Sequence, residues 1–281
     1  MSFYISLSGL KGAQADLSAV SNNVANVSST AFKKSKTQFG DIFAAAPMQT
    51  TNQVSGQGVR VQGITQQFTQ GTIETTDKTL DLAITGEGFF TVKGEDGNVS
   101  YTRNGAFAVD NDRYVVDTTG ARIQVFSVDP DTGEPTTAAS STSTPADLVD
   151  LQIPTTYQGQ TDGAQLTSVG VSSEGLVSAI YADGSTVYLG QVAMASFNNL
   201  EGLRQQGDAH WTSTVESGNV ILGTANQGMF GSVNSGSLER SNVDITEELV
   251  ALIAAQRNFQ ANSKAIEAAN TLTTTIVNIR S

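Results

Sequence analysis

The two ends of the chain share a pattern in which apolar residues recur at steps of three or four positions. Such steps place the residues on one face of an α-helix. The N-terminal pattern predicts a helix through Val27, with an opposite face that is polar but almost uncharged. Its apolar stripe consists of Phe3, Leu7, Leu10, Ala13, Leu17, Val20, Val24 and Val27.

The C-terminal pattern predicts a longer helix. Asp244 precedes this helix as an N-cap residue, and Glu247 lies three positions further on, as in a capping box. No proline or glycine occurs from Ser241 to Ser281, so the helix can extend over about 35 residues, or roughly 52 Å. Its stripe is Ile245, Leu249, Leu252, Phe259, Ile266, Ala269, Leu272, Ile276 and Ile279, with Gln256 and Ser263 as polar interruptions.

Two long amphipathic helices at opposite ends of a chain can pair as a coiled coil. The alternative is that each helix packs separately on the central part of the chain. One apolar stripe per helix cannot both join the helices and cover a domain, and an isolated pair would be only marginally stable. Packing of the helices against further copies of the same chain is therefore expected.

The middle of the chain is typical of β-structure. Val59, Val61 and Ile64 nearly alternate with polar residues, and short apolar runs follow at spacings of about ten residues. Asp96-Gly97 and Asn104-Gly105 are turn signals between such runs. We therefore expect an α+β protein whose central β domain is mostly antiparallel, as a meander or a sandwich. Residues 129–163, rich in Pro, Ser and Thr, are expected to form a linker-like loop.

Composition narrows the possible partners. The formal net charge is −12, which disfavours nucleic acid, and Lys33, Lys34 and Lys36 form the densest basic group, interpreted as a solvated face. The absence of cysteine excludes disulfides and thiolate chemistry. No segment approaches the length of a membrane span, and the first residues lack the features of a cleaved signal peptide. These features predict no membrane insertion and either a cytoplasmic location or export without a cleaved signal.

Catalytic chemistry finds little support in the sequence. His210 is the only histidine, so any Ser-His-Asp triad must use it, but no Gly-x-Ser-x-Gly motif occurs. The preferred interpretation is a surface or packed histidine beside Trp211. Two acidic runs, at residues 110–112 and 129–133, lack the glycine and glutamate that a calcium loop needs. We therefore predict no catalytic residue, no metal site and no cofactor.

Motifs with a recognisable order extend over nearly the whole chain. They include Leu7-Ser8-Gly9-Leu10, residues 21–27, residues 80–84, residues 101–107 and residues 254–262. Together they resemble the bacterial flagellar hook and basal-body rod family. The motif residues singled out by this resemblance are Asn22, Asn23, Ala25, Asn26, Phe32, Gly88, Phe89, Phe90, Asn104, Gly105, Asn242, Val243, Gln256 and Arg257.

The resemblance implies a structural subunit in four segments. Residues 1–31 and 241–281 would be the helices of an inner core, residues 32–57 an extended bridge, and residues 58–240 an outer β domain. Subunits would stack as a helical homopolymer around a channel, outside the cell, after leaving through the flagellar type III export apparatus. Its other implied partners are the distal rod, the hook cap and the hook–filament junction proteins.

Within the family, several runs are more similar to hook members than to rod members. Examples are residues 39–43, 63–68 and 254–262. Hook members usually carry an extra outer β domain, whereas this chain has only the loop at 129–163 in that place. Its length is closer to that of a distal rod subunit, which remains an alternative. A secreted enzyme or carbohydrate-binding β domain is a third hypothesis, from another class.

Overall fold

The computed structural model describes residues 2–42, 56–136, 144–155 and 164–279. The chain forms two compact units. Unit 1 comprises Met1–Ser28, Lys33–Phe68 and Val243–Ser281, and unit 2 comprises Ser29–Phe32 and Thr69–Asn242. The fold is α+β as expected, with a helix near each end of the chain and a mostly antiparallel β structure between them.

Unit 1 contains both helices and one β-hairpin. Its elements are α1 (Ser2–Ala25), β1 (Ser35–Asp41), β2 (Val59–Gln66) and α2 (Ile245–Ile279). The predicted C-terminal helix is confirmed, and the N-terminal helix ends two residues before Val27. Neither helix, over the residues described, is long and apolar enough to cross a membrane.

The hairpin of β1 and β2 packs against α1. The strands are antiparallel, with Ser35 opposite Gln66 and a bulge after Gln38. A Cβ atom added to Gly12 of α1 would meet the Phe39 ring at 3.3 Å, so the helix lies close to this sheet. Because β2 pairs with β1, residues 59–66 belong to the helical unit and not to the β domain, where the sequence pattern predicts them.

Unit 2 consists of short strands. They are β3 (Ile73–Thr75), β4 (Leu82–Thr85), β5 (Phe89–Lys93), β6 (Val99–Thr102), β7 (Ala108–Val109), β8 (Val115–Val116), β9 (Arg122–Phe126), β10 (Val149–Asp150), β11 (Leu166–Val171), β12 (Leu176–Tyr181), β13 (Thr186–Val192), β14 (Met194–Ser196), β15 (Arg204–Gly207), β16 (His210–Thr212), β17 (Ile221–Gly223), β18 (Ser232–Ser235) and β19 (Ser237–Glu239). Single turns of 3₁₀-helix lie at Pro145–Asp147 and Leu200–Gly202.

One large sheet organises unit 2. Its main path runs β11-β12-β13-β9-β5-β6-β16-β15, and two further pairs, β4 with β18 and β3 with β19, form separate two-stranded sheets. The core beneath the large sheet contains Ile84, Phe90, Ile123, Val192 and Met194, all fully buried. Burial of large apolar side chains of this kind supplies the main driving force for folding.

The expected loop at 129–163 is partly structured. Strand β10 pairs with β9, and the side chains of Leu148, Leu151 and Ile153 are buried. These apolar residues anchor the segment in the core, so the interpretation as a linker is wrong for residues 144–155. Residues 137–143 and 156–163 of the predicted loop lie outside the described part of the chain.

Candidate assembly surface

The two terminal helices pack against each other in unit 1. Asn23 of α1 donates a hydrogen bond to Glu248 of α2 at 3.0 Å, and Gly9 lies against the amide of Asn262. Position 23 follows position 9 along α1, whereas position 248 precedes position 262 along α2, by the same number of residues. The helices are therefore antiparallel, with a constant register along the contact.

Small and polar residues occupy much of the contact. Ala255 of α2 is buried, as are Ala13 and Val20 of α1. Small side chains and the missing side chain of Gly9 let the two backbones approach closely. On α2 the positions with buried or half-buried side chains along this line are Glu248, Leu252, Ala255, Phe259, Asn262, Ile266 and Ala269.

Asn23 fixes the end of this contact. Its side chain is 1% exposed and makes three hydrogen bonds. The amide donates to the carbonyl oxygen of Ser35 at 2.8 Å and to Glu248 Oε2 at 3.0 Å, and it accepts from the Ser35 amide at 2.9 Å. The side chain therefore ties the last turn of α1 both to the start of β1 and to the first turn of α2. We call this group the Asn23 clamp.

A lysine neutralises the acidic first turn of α2. Lys34 Nζ lies 2.7 Å from Glu248 Oε1 and 3.2 Å from Glu247 Oε1. Burial opposes the positive charge of Lys34, but its hydrogen bonds to the two carboxylates outweigh this effect and raise its pKa. Lys33 is fully buried, so the interpretation of the three lysines as a solvated face is wrong for Lys33 and Lys34; Lys36 is exposed.

The N-cap of α2 is formed as predicted. Asp244 Oδ1 accepts hydrogen bonds from the backbone amides of Thr246 at 2.7 Å and Glu247 at 3.2 Å. These two bonds lower the pKa of Asp244. The cap satisfies amides that the first helical turn cannot pair within the helix, so it fixes where α2 begins.

Asp16 places a second carboxylate on the helix contact. Burial raises the pKa of Asp16, the side chain of Thr37 opposes this effect, and the negative charge of Glu248 adds to it. The helix register places Asp16 level with Ala255, between the Asn23 clamp and the close approach at Gly9. This part of the contact is therefore less favourable when Asp16 is ionised.

The residues predicted to pack subunits fall into three groups. Val20 is buried, and the half-buried side chains are Leu7, Leu10, Leu17, Val24, Val27, Leu252, Phe259 and Ile266. The exposed side chains are Ile245, Leu249 and Leu272. The structure does not describe the side chain of Ile276. A role of these residues between subunits stays a prediction.

Unit 1 exposes a row of apolar side chains along the first turns of α2. Ile245, Leu249 and Ile253 follow one another at steps of four, Val250 lies beside them, and all four are at least 44% exposed. We call these four residues the exposed apolar face. A second, separate group of exposed apolar side chains, Phe3, Tyr4 and Ile5, lies near the beginning of α1, level with residues 266–268 of α2. Apolar residues grouped in this way mark surfaces that associate with other molecules.

Helix α2 also extends past the beginning of α1. The register that joins Asn23 to Glu248 places Ser2 level with Ala269, so residues 270–279 have no part of α1 opposite them. This overhang measures about 15 Å at ~1.5 Å per residue. Leu272 lies on it and is 65% exposed.

The central motif residues serve the fold of unit 2. Phe89 and Phe90 are buried, and Gly88 has a positive φ of 129° next to Met194. A Cβ atom on Gly105 would collide with the carbonyl oxygen of Leu82. The buried Asn104 accepts a hydrogen bond from the Ala106 amide at 3.2 Å and so shapes the turn.

The remaining motif residues lie at the ends of the chain. Phe32 is half-buried, and Asn242 donates hydrogen bonds to Thr69 at 2.9 and 3.1 Å. Val243 is buried. The half-buried Asn26 donates from its side chain to the carbonyl oxygen of Asn22. The exposed motif residues are Asn22, Ala25, Gln256 and Arg257.

His210 was expected either at the surface or packed in the interior. The interior position is the one observed. The side chain is buried, with Nδ1 2.9 Å from the carbonyl oxygen of Asp208 and Nε2 2.6 Å from Asp117 Oδ2. Both ring nitrogens are thus engaged by oxygens other than a serine hydroxyl, which is not the arrangement of a catalytic triad. Among the described residues no group of three or more metal-ligating acidic or histidine side chains occurs.

Unit 1 therefore combines two antiparallel terminal helices with exposed apolar side chains, an arrangement typical of proteins that associate with other chains. Three protein families match the chain, one after another along its sequence. Residues 3–33 match "Flagella basal body rod protein", residues 83–179 match "Flagellar hook protein FlgE/F/G D1 domain", and residues 234–279 match "Flagellar basal body rod FlgEFG protein C-terminal".

Named relatives match the chain from end to end. The flagellar basal-body rod protein FlgG of Bacillus subtilis is 33% identical over 296 residues, covering 99% of this chain and 98% of the relative. The flagellar hook protein FlgE of Salmonella typhimurium is 28% identical over 413 residues, covering 100% of both. The chain belongs to the flagellar hook and basal-body rod family, and it is a structural subunit of the hook or the rod.

Proposed function

We propose that this chain is the subunit of the flagellar hook and that it polymerises into a hollow, flexible tube that transmits motor torque to the filament. The observation that carries the proposal is the match to a hook protein over the full length of both chains. The tube would also form the export channel. We propose no catalytic role, because the relatives are structural flagellar proteins.

The proposed inner layer of the tube is a coiled coil of α1 and α2. Glu248, Ala255 and Asn262 recur every seven residues on α2, as do Gly9, Asp16 and Asn23 on α1. A seven-residue repeat keeps the contact between two helices on one seam. The exposed apolar face and the overhang of α2 would then be covered by neighbouring copies.

The proposed mechanics follow from the two kinds of surface. The apolar rows of the helices would interlock and resist twist, whereas polar contacts between β units could slide as the tube bends. Ser, Asn and Gln side chains on the helices would face the lumen and let unfolded export substrates pass without binding. We propose that the subunit itself is exported through the type III apparatus and lies outside the cell, in contact with the distal rod, the hook cap and the junction proteins.

The alternative is the distal rod subunit, which a specific observation favours. The alignment with the rod protein of Bacillus subtilis spans 296 residues, close to the 281 of this chain, whereas the alignment with the Salmonella hook protein spans 413. The hook relative therefore contains residues that this chain lacks. The rod would be a straight, rigid tube.

Substitutions on α2 test assembly. Leu249→Asp would charge the exposed apolar face without disturbing the interior of the monomer, and Leu249→Met is the matched control that keeps an apolar side chain. We expect the Asp variant to fold, to be exported and to build no tube, while the Met variant builds tubes normally. Normal tubes from Leu249→Asp cells would contradict assembly through this face.

Basal bodies from a deletion strain separate the two members of the family. If the chain is the hook subunit, electron micrographs will show complete rods that carry no hook, and complementation will restore a curved structure. A truncated rod in the deletion strain would instead assign the chain to the distal rod.

A further inference from the structure

His210 joins three parts of unit 2. It lies at the start of β16, its Nδ1 faces the Asp208 carbonyl oxygen at 2.9 Å in the β15–β16 turn, and its Nε2 faces Asp117 Oδ2 at 2.6 Å in the turn after β8. His210 is 5% exposed, and the side chain of Asp117 is fully buried. Neither the proposed assembly mechanism nor the family motifs use this pair.

The two acceptors determine the protonation of the ring. A carbonyl oxygen and an ionised carboxylate can only accept hydrogen bonds, so both ring nitrogens must donate. A neutral imidazole has one N–H and one acceptor nitrogen, and it could satisfy only one of the two contacts. With Asp117 ionised, both contacts are satisfied only by the positively charged imidazolium form.

Asp117 is already committed as an acceptor on its other side. Its Oδ1 accepts from the Thr119 amide at 2.8 Å, the Thr119 hydroxyl at 2.7 Å and the Ala121 amide at 3.0 Å. These bonds stabilise the carboxylate and hold it in place. Burial opposes its charge, but the hydrogen bonds from His210 and Thr119 prevail and lower the pKa of Asp117.

The other partner of His210 lies in a strained turn. Asp208 and Ala209 both have positive φ, 49° and 58°, which residues other than glycine adopt at a cost. This turn connects β16 to β15, which is the last strand on its side of the large sheet, with Arg204, Gln205 and Gln206 exposed. Because neither residue is a glycine, the contacts of this turn with His210 and Thr102 help to hold its conformation.

We propose that the imidazolium of His210 is a clamp that fastens the β15–β16 hairpin to the turn after β8, and that loss of its proton releases this edge of the sheet. The hairpin edge is then an alkali-sensitive element of unit 2. This inference goes beyond the proposed function and holds for the monomer as well as for the polymer.

The charges around the ring favour the protonated form. Asp117 faces it from the turn after β8 and Asp208 from the hairpin, while Glu95 and Asp96 line the same cleft from the β5–β6 turn. From β6 the neighbour is the uncharged Thr102, which donates to the Ala209 carbonyl oxygen at 2.8 Å. Burial opposes the charge on His210, but the contacts with Asp117 and Asp208 raise its pKa.

The sign of the pH effect follows from this direction. Because the folded pKa lies above the unfolded value of about 6.5, the stabilisation is complete below that value and is lost as the pH rises through the folded pKa. At the acid end, the contribution of Asp117 is lost as the pH falls through its lowered pKa. The contact between His210 and Asp117 is therefore strongest in mildly acidic solution.

The test uses the full chain and its single histidine. NMR titration of the imidazole gives its folded pKa without ambiguity, and amide hydrogen exchange of residues 205–209 reports the hairpin. The matched variant is His210→Gln, whose side chain does not titrate. Dividing the wild-type exchange rate by the variant rate at each pH removes the intrinsic pH dependence of exchange.

We expect a pKa above 6.5 and hairpin amides that exchange about tenfold faster in His210→Gln than in the wild type at about pH 6, with the difference disappearing above the folded pKa. A pKa at or below 6.5, or a rate ratio that does not change with pH, would overturn the proposal. If His210→Gln fails to fold, Asp117→Asn replaces it, and in that variant the imidazole pKa must fall towards the unfolded value.

Discussion

Gly9 of α1 lies so close to Asn262 of α2 that a Cβ atom at position 9 would stand 2.6 Å from Asn262 Oδ1. Alanine is about 1 kcal/mol better than glycine inside a helix, so the glycine is unfavourable for α1 alone. Its presence is explained by the close approach of the two helices.

The Gly9 contact predicts a rescue experiment. Gly9→Leu should separate the helices and abolish tube formation, because a branched side chain does not fit the space. Gly9→Ala should be partly defective, and Gly9→Ala with Asn262→Ala should recover assembly, since the clashing amide is gone. Gly63→Ala is the control, because no atom lies within 4 Å of its added Cβ. Normal tubes from the Gly9→Leu strain would exclude this contact from the assembly.

The Asn23 clamp predicts a large effect for one of two adjacent asparagines. Asn23→Ala leaves the Ser35 backbone and one oxygen of Glu248 without their partner, and an unsatisfied buried polar group costs about 1–3 kcal/mol. Asn22→Ala is the matched control, because that side chain is exposed. Thermal unfolding followed by circular dichroism of the helices should show a lower Tm for the first variant only. Equal Tm values for the two variants would show that the Asn23 clamp does not stabilise the fold.

Replacement of Asp16 by asparagine is predicted to raise the stability of the protein at neutral pH. The pKa of Asp16 is raised in the folded state, so protonation of this side chain favours folding and its ionisation opposes folding. The stabilisation by the proton is therefore lost as the pH rises through the folded pKa of Asp16. Asp16→Asn cannot ionise and should unfold at a higher temperature than the wild type near neutrality, with the difference vanishing below about pH 4. Asp41→Asn, at the exposed end of β1, is the control. A lower Tm for Asp16→Asn at neutral pH would contradict the argument.

The helices could be predicted from the sequence, but their contact could not. Periodicity located α2 because the whole stripe keeps the helical step from Ile245 onwards. The actual seam includes Glu248, Ala255 and Asn262, which a search for large apolar residues passes over. Leu249, counted in the stripe, is exposed because α1 approaches from the side of Glu248. Only the register between the helices shows which positions face each other.

The burial of the lysines and the structure of the predicted loop also depend on tertiary contacts. Lys33 gave the same local signal as Lys36, but the two differ completely in burial. The Pro-rich composition of residues 129–163 concealed Leu148, Leu151 and Ile153, whose burial depends on the pairing of β10 with β9. The pairing of His210 with Asp117, 93 residues apart in sequence, carries no local signal at all.

For the buried ion pair of Arg103 and Glu239, we predict that replacing one partner costs more stability than replacing both. Both side chains are nearly inaccessible, 3.3 Å apart, and Glu239 also accepts from the Gly71 amide. Glu239→Gln leaves the guanidinium buried without its counter-charge and should destabilise unit 2 by about 3–5 kcal/mol. Replacing both residues by Arg103→Met and Glu239→Leu should cost less than either single change.

Trp211 is the only tryptophan and is buried in unit 2, so its fluorescence reports the unfolding of this unit. The control is the exposed pair of Arg240 and Glu74, where Glu74→Gln should change the stability little. Similar losses from Glu239→Gln and Glu74→Gln would show that burial of the first pair does not matter.

The charge of the chain is concentrated in one unit, and this predicts a salt effect on assembly. Unit 1 carries 8 Lys and Arg against 6 Asp and Glu, whereas unit 2 carries 7 against 21. Copies of unit 2 packed side by side in a tube would repel each other, while unit 1 would not. Salt screens such repulsion, because the Debye length falls from about 30 Å at 0.01 M to about 8 Å at 0.15 M.

The protein concentration needed for polymerisation should therefore fall as salt is raised over this range. Replacing the exposed Asp77, Glu201 and Glu216 by their amides should lower the threshold at low salt and flatten its salt dependence, because fewer like charges then face each other. Light scattering of purified subunits measures both effects. A threshold that rises with salt would mean that attraction between opposite charges, and not repulsion between the β units, dominates the contacts of the polymer.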